Sequence, residues 1–139
     1  MTAKANSANG DVFLAVTGAL EIDGNVQATR TINISSTGSI SNDTNPGGDT
    51  IVTQNLVLIS TGGSIGNATN RINMNVDSIQ ATANTANQGV FLNEIDNVEI
   101  SGAQGSSGAN GIYNLLASGN ITNAVNPTGD IITAPNMVL

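Results

Sequence analysis

The chain contains no cysteine, histidine or tryptophan, and its aromatic residues are limited to Phe13, Phe91 and Tyr113. Without thiol or imidazole, zinc and iron–sulfur centres lose their usual ligands. Ser-His and Cys-His catalysis lose a base or a nucleophile, and a disulfide scaffold is impossible. Cations are scarce as well: Lys4, Arg30 and Arg71 stand against ten acids, a net charge of −7. Three scattered cations cannot displace the counterions condensed on nucleic acid, so no nucleic-acid partner is expected. Charged residues make up only 9% of the chain, against about 25% in an ordinary globular protein. No apolar run approaches the roughly 20 residues of a membrane-spanning helix, and no membrane insertion is expected. The opening Met1-Thr2-Ala3-Lys4-Ala5-Asn6 lacks the apolar core of a signal peptide.

What fills the space is Asn (21), Gly (16), Thr (15) and Ile (15) in 139 residues. Such a composition can mark a disordered polar tract, but 39% of the residues are hydrophobic and they are not scattered. They come in short, largely β-branched bursts, as in Val12-Phe13-Leu14-Ala15-Val16, Ile32-Asn33-Ile34 and Leu56-Val57-Leu58-Ile59. Several alternate with period two, among them Leu20-Glu21-Ile22, Ile72-Asn73-Met74-Asn75-Val76 and Val98-Glu99-Ile100. Bursts of this kind, bounded by Gly, Asn, Asp or Ser, are strand signals. No apolar stripe of helical period persists for three turns. The chain reads as all-β.

Internal repetition narrows the architecture. Thr37–Leu58 laid over Ser118–Leu139, at an offset of 81, matches at 11 of 22 positions, including Asn45-Pro46-x-Gly48-Asp49 against Asn126-Pro127-x-Gly129-Asp130. Val12–Gly24 over Val90–Gly102, at an offset of 78, matches at 6 of 13, and the difference of three is assigned to the loop-like Gly102–Gly111. A shorter echo, Thr31–Asn45 over Leu56–Asn70 at an offset of 25, matches at 8 of 15. Short strands recurring at this period suit a parallel β-solenoid, each strand pairing with its equivalent one coil above and below. A sandwich would not need long-range repetition, and a propeller blade needs about 40 residues. An amyloid-type Gln/Asn repeat is shorter and stricter.

The expectation is a single solenoid over 1–139, with about five coils of roughly 25–27 residues. A first long copy covers about 11–88 and a partial second about 89–139. The second copy breaks off within a strand, which reads as an excerpt of a longer repetitive chain, its bare end open to adjoining coils or to end-to-end self-association. At an offset of 25, Ile34 falls over Ile59 and Ile40 over Ile65, with Leu115 and Ile121 farther along, and Asn42, Asn67 and Asn123 recur at one corner.

Gly10-Asp11-Val12-Phe13-Leu14, Leu58-Ile59-Ser60-Thr61-Gly62-Gly63-Ser64-Ile65-Gly66 and Asn75-Val76-Asp77-Ser78-Ile79-Gln80-Ala81-Thr82-Ala83 resemble the repeat region of filamentous-haemagglutinin-like adhesins and related β-strand-repeat exoproteins. The resemblance covers most of the chain. It implies a right-handed parallel β-helix, secreted to the bacterial cell surface, that serves as a stalk or adhesive filament and meets a host-surface glycan or protein. The family's secretion domain is only faintly echoed, at Asn110-Gly111-Ile112 and Pro135-Asn136-Met137.

Candidate chemistry is sparse. Asp43 and Asp49 flank an oxygen-rich loop of the kind that can hold calcium, but the second copy has Ala124 in place of Asp43, and a Pro-Gly turn accounts for the pattern. Glu94, Asp96 and Glu99 cluster after one strand, and two carboxylates are the minimum for glycoside hydrolysis. Neither aromatics nor cations gather beside them, so a solvated outer face is the simpler reading; a carbohydrate-active β-helix fragment, polysaccharide-binding or -cleaving, and a self-assembling extracellular fibre subunit are the alternatives to the stalk. Sequons stand at Asn33, Asn42, Asn67 and Asn120, a number that composition alone can supply. Thr29-Arg30-Thr31 is a single Thr-x-Thr without an equivalent at offset 25, so no ice-binding array is expected. No catalytic, cofactor-binding or metal-binding residue is assigned, and no cofactor is implied.

Overall fold

A computed structural model describes residues 3–4, 10–42, 49–123 and 129–139. Among these, every element is a strand and every strand pairing is parallel. The chain winds as a β-solenoid of about five coils. β1 (Ala3–Lys4) pairs from beneath with the last strand of the coil formed by β2 (Asp11–Val16), β3 (Leu20–Ile22) and β4 (Val26–Gln27). Above them lie β5 (Thr31–Ser36), β6 (Ile40–Asn42) and β7 (Ile51–Ser60), then β8 (Ile72–Ala86) and β9 (Gly89–Glu94). The upper coils contain β10 (Val98–Ile100), β11 (Ala103–Ser107) and β12 (Ile112–Ala117), and finally β13 (Ile121–Asn123), β14 (Ile131–Thr133) and β15 (Asn136–Val138).

The period-two alternation dictates which side chains enter the prism. In β5, Ile32, Ile34 and Ser36 are buried while Thr31, Asn33 and Ser35 are half-buried and point outward. Stacking then builds inner columns. One runs Leu20, Ile40, Ile65, Val90, Tyr113, Met137. A second runs Leu14, Ile34, Leu58, Ala81, and a third Val12, Ile32, Leu56, Ile79, Ile100. These aliphatic columns form one continuous core, and axial ladder bonds satisfy the backbone.

The coil is shorter and less regular than 25–27 residues. Asp11 pairs with Thr31, Thr31 with Asn55, Ile65 with Val90 and Val98 with Ile121, steps of 20, 24, 25 and 23; among the described residues only the step of 28 from Ala103 to Ile131 exceeds the expected range. Ile40 does stack on Ile65. Ile34, however, lies beneath Leu58, and Ile59 pairs with Ser35 and points outward, half-buried. The cause is one extra glycine: Thr37-Gly38-Ser39-Ile40 faces Thr61-Gly62-Gly63-Ser64-Ile65, so the step is 24 before that turn and 25 after it. A slip of one residue exchanges the inner and outer faces of a strand.

Leu115 and Ile121 also leave the expected columns. Leu115 stacks on Leu92, and Ile121 on Val98. The long repeat is therefore not a whole number of coils. Its two-coil pairing, Leu20–Ile22 beneath Ile40–Asn42, recurs as Val98–Ile100 beneath Ile121–Asn123 on a different face of the prism. Ile22 beneath Asn42 becomes Ile100 beneath Asn123. The Gly24 N–H donates to Asp49 Oδ1 at 2.6 Å, and the Gly102 N–H donates to Asp130 Oδ1 at 2.6 Å. The stretch 102–111 is not a loop: it contains β11, whose Gln104 points inward.

No asparagine column forms from Asn42, Asn67 and Asn123. Asn42 is buried and donates to the Arg71 carbonyl, Asn67 closes its own turn, and Asn123 stacks on Ile100. Amides join coils within strands, where Asn93 Nδ2 donates to the Oδ1 of Asn73 stacked beneath it at 3.1 Å, and at corners, where the Oδ1 atoms of Asn25, Asn87 and Asn97 accept the backbone N–H of Thr50, Asn110 and Asn120 at 3.1, 3.0 and 2.7 Å. Asn87 does so from a left-handed conformation (φ 64°), which asparagine tolerates better than most residues.

Candidate functional site

The three clustered carboxylates separate. Glu94 is fully buried, Asp96 sits on an exposed corner, and Glu99 is half-buried on the outer side of β10. The expectation of a solvated outer face therefore fails for Glu94. Its parity explains why: Val90 and Leu92 of β9 point inward, and Glu94 continues the same series. It occupies the column of Val26, Ile51 and Met74, directly above Met74 and below Ala117.

The buried carboxylate meets backbone donors. Oε2 accepts the Val76 N–H at 3.0 Å, and Oε1 accepts those of Ile95 at 2.8 Å and Asp96 at 3.3 Å. Between Met74 and Glu94 the coil step is only 20 residues, and Glu94 itself supplies acceptors to amides of two successive coils at that tight corner. Burial pushes its pKa up to about 7, the three N–H donors oppose the rise, and the neighbouring Asp96 charge adds to it. Glu94 and Glu99 thus do not face a common cleft. The arrangement is a corner clamp.

A second polar group in the interior was not foreseen. Gln104 Oε1 accepts the Ala81 N–H at 3.1 Å and the Tyr113 hydroxyl, while its Nε2 donates to the Ile79 carbonyl at 3.0 Å. Burial raises the Tyr113 pKa and keeps the phenol neutral. The Gly-Ser-rich surroundings of Gln104 hid its strand in the sequence.

Asp43 and Thr44–Gly48 lie outside the described residues. Asp49 is buried and holds the Gly24 N–H across coils, the role Asp130 plays toward Gly102. Among the described residues, no three acidic side chains gather closely enough to hold a metal ion.

The outer surface of the widest sheet carries rows along the axis. One row reads Asp11, Thr31, Asn55, Ser78, Glu99, Thr122; the next begins Phe13, Asn33, Val57, Gln80. Ser78 Oγ donates to Asn55 Oδ1 at 2.9 Å, and the Asn55 amide donates to the Arg30 carbonyl at 3.2 Å. Phe13 stands 71% exposed at the lower end of its row, and beside it Arg30 pairs with Asp11, whose carboxyl that guanidinium holds below the usual range. Arg71 lies over the Phe91 ring, 5.9 Å from its centroid, and donates to Asn114 Oδ1 at 3.1 Å. Amides and hydroxyls predominate in these rows, interrupted by acids at Asp11 and Glu99 and by the apolar Phe13 and Val57.

Neither the chain nor its fold matches a family model, a curated protein or a solved structure.

Proposed function

We propose that this solenoid is a structural or adhesive stalk segment of a large secreted bacterial surface protein of the filamentous-haemagglutinin-like kind, working by shape and surface display rather than by catalysis. The observation that carries the reading is the unbroken axial stacking of parallel coils, at about 4.8 Å per coil, with rows of Asn, Thr and Ser outside. Such a rod holds its outer groups in fixed positions, because each is anchored by ladder bonds above and below. A host-surface glycan or protein is the partner this array suits, since amides and hydroxyls can bond to sugar hydroxyls with little desolvation of charge.

The uppermost coil favours a further contact. Ile131, Met137, Val138 and Leu139 are exposed there, beside a shallow depression of about 340 Å³ whose lining joins Ile100, Ile121, Ile132 and Met137 to the polar Thr122, Asn123 and Asp130. An adjoining coil, from the same chain or from a second copy, would cover them. The carbohydrate-cleaving alternative gains no support from Glu94 and Glu99, one inside the prism and one outside.

Beads coated with the purified chain test the reading. Saturable attachment to host-cell or glycan surfaces, without release of sugar, is expected. Polysaccharide cleavage that disappears in Glu99→Gln would overturn it.

A further inference from the structure

The four sequons are not equivalent in the folded chain. Asn42 is buried and its amide nitrogen is engaged with the Arg71 carbonyl at 3.1 Å. Asn33 lies within β5, which is laddered on both sides by β2 and β7. Asn120 is exposed, but its N–H is held by Asn97 Oδ1 at 2.7 Å and Thr122 lies in β13, its hydroxyl directed at the Val98 carbonyl at 3.4 Å. A transferase must seat the asparagine and the hydroxyl residue two places on in one cleft, and backbone committed to a neighbouring coil cannot enter it.

Asn67 differs on each count. Asn67, Ala68 and Thr69 are all exposed in the turn between Ile65 and β8. Gly66 and Arg71 tie the ends of this turn to the coil below, the Gly66 N–H donating to the Ile40 carbonyl at 2.7 Å, but the bonds between them are local: the Asn67 N–H donates to the Asn70 carbonyl at 3.0 Å, and Asn67 Oδ1 accepts the N–H groups of Thr69 and Asn70 at 2.9 and 2.8 Å. The Thr69 hydroxyl also donates to Asn67 Oδ1, at 2.8 Å, so the two recognition groups of the sequon already touch. The carboxamide nitrogen takes part in none of these bonds.

We propose that Asn67 is an N-glycosylation site of the folded chain, presented with Thr69 on a protruding turn. The donor is a polyprenyl-diphosphate-linked oligosaccharide. Asn67 Nδ2 bonds to the sugar C1 while the C1–O bond to diphosphate breaks; the diphosphate leaves with the electron pair, and the amide nitrogen gives one proton to a base of the transferase. The site stands on the geometry of the turn and is independent of the stalk reading.

The folded chain is incubated with a sequon-directed oligosaccharyltransferase and its polyprenyl-diphosphate donor, then examined by intact mass and peptide mapping. One glycan per chain is expected, on Asn67, absent from Asn67→Gln and from Thr69→Ala but retained in Thr69→Ser, with all variants folded by circular dichroism. A chain that takes up no glycan, or that carries it first on Asn33 or Asn120, overturns the proposal. A free peptide spanning 63–72 runs in parallel: if it is modified while the folded chain is not, presentation by the turn is refuted directly.

Discussion

Leu58 and Ile59 offer a decisive test of the coil register, because two stacking schemes assign them opposite roles. In the structure Leu58 is fully buried between Ile34 and Ala81, whereas Ile59 is outward and half-buried between Ser35 and Thr82. Truncating a buried leucine removes its transfer free energy and leaves a cavity, a loss of about 3–4 kcal/mol. Truncating a partly exposed outward isoleucine costs about 1 kcal/mol or less. A chain of this length holds on the order of 10 kcal/mol of stability, so both variants still fold. With a urea m-value of roughly 2 kcal/mol/M, Leu58→Ala lowers the unfolding midpoint by about 1.5–2 M and Ile59→Ala by about 0.5 M or less. Equilibrium urea unfolding followed by far-ultraviolet circular dichroism reads the difference. Equal shifts, or the larger shift in Ile59→Ala, would falsify the 24-residue step across this strand.

Other expectations rest on particular contacts. Glu94 has a folded pKa of about 7, above its ordinary 4.5, so its contribution is fully present below about pH 4.5 and is lost as pH rises through 7. The loss is at most about 3 kcal/mol; stability at pH 5 should exceed that at pH 8, and Glu94→Gln should flatten the slope. Identical slopes in the two proteins would remove Glu94 as the cause. Gly62→Ala places a Cβ 2.0 Å from the Thr37 carbonyl oxygen, a backbone atom that cannot yield without separating two coils, whereas at Gly18 a Cβ has nothing within 4 Å and meets only the strain of a left-handed φ of 98°, about 1–2 kcal/mol. Thermal melting should show the larger loss at Gly62, and parity with Gly18→Ala would count against coil contact there. Gln104→Leu leaves the Ala81 N–H, the Ile79 carbonyl and the Tyr113 hydroxyl without that partner; a loss of about 3 kcal/mol is expected, against about 1 kcal/mol for Tyr113→Phe, and a neutral Gln104→Leu would contradict the buried network.

Much of the architecture was legible in local patterns. Ile72-Asn73-Met74-Asn75-Val76 alternates as a strand buried on one face must, and it forms the start of β8 with Ile72, Met74 and Val76 inside. Ile40 and Ile65 were placed together because both follow a Thr-Gly turn and keep their identity. Ile34 and Ile59 were misplaced for the same reason: matching identical residues without a gap ignored the extra glycine at 62–63, although Ser36-Thr37-Gly38 and Ser60-Thr61-Gly62 carried the correct alignment. The inward position of Glu94 is legible in its parity with Val90 and Leu92, but its charge points to solvent, and the two signals conflict. Gln104 had no such signal, since β11 is built of Ala, Gln, Gly and Ser, and only tertiary stacking makes it a strand. Sequence repetition likewise exposed the recurring segments but neither their pairing as two stacked coils nor their bearing around the prism, which depends on the strands and corners that lie between the copies.

That bearing has a consequence for how such a chain diversifies. Because the pairing of Leu20–Ile22 with Ile40–Asn42 reappears as Val98–Ile100 with Ile121–Asn123, turned onto another face, duplicating a stretch of the gene need not extend one stripe of surface groups. It can set the copy at a new compass point around the shaft, so that a short vocabulary of segments winds as a helical frieze. Single corner residues, by contrast, are absorbed where they occur: the extra glycine at 62–63 lengthens one turn and leaves Ile65 stacked on Ile40.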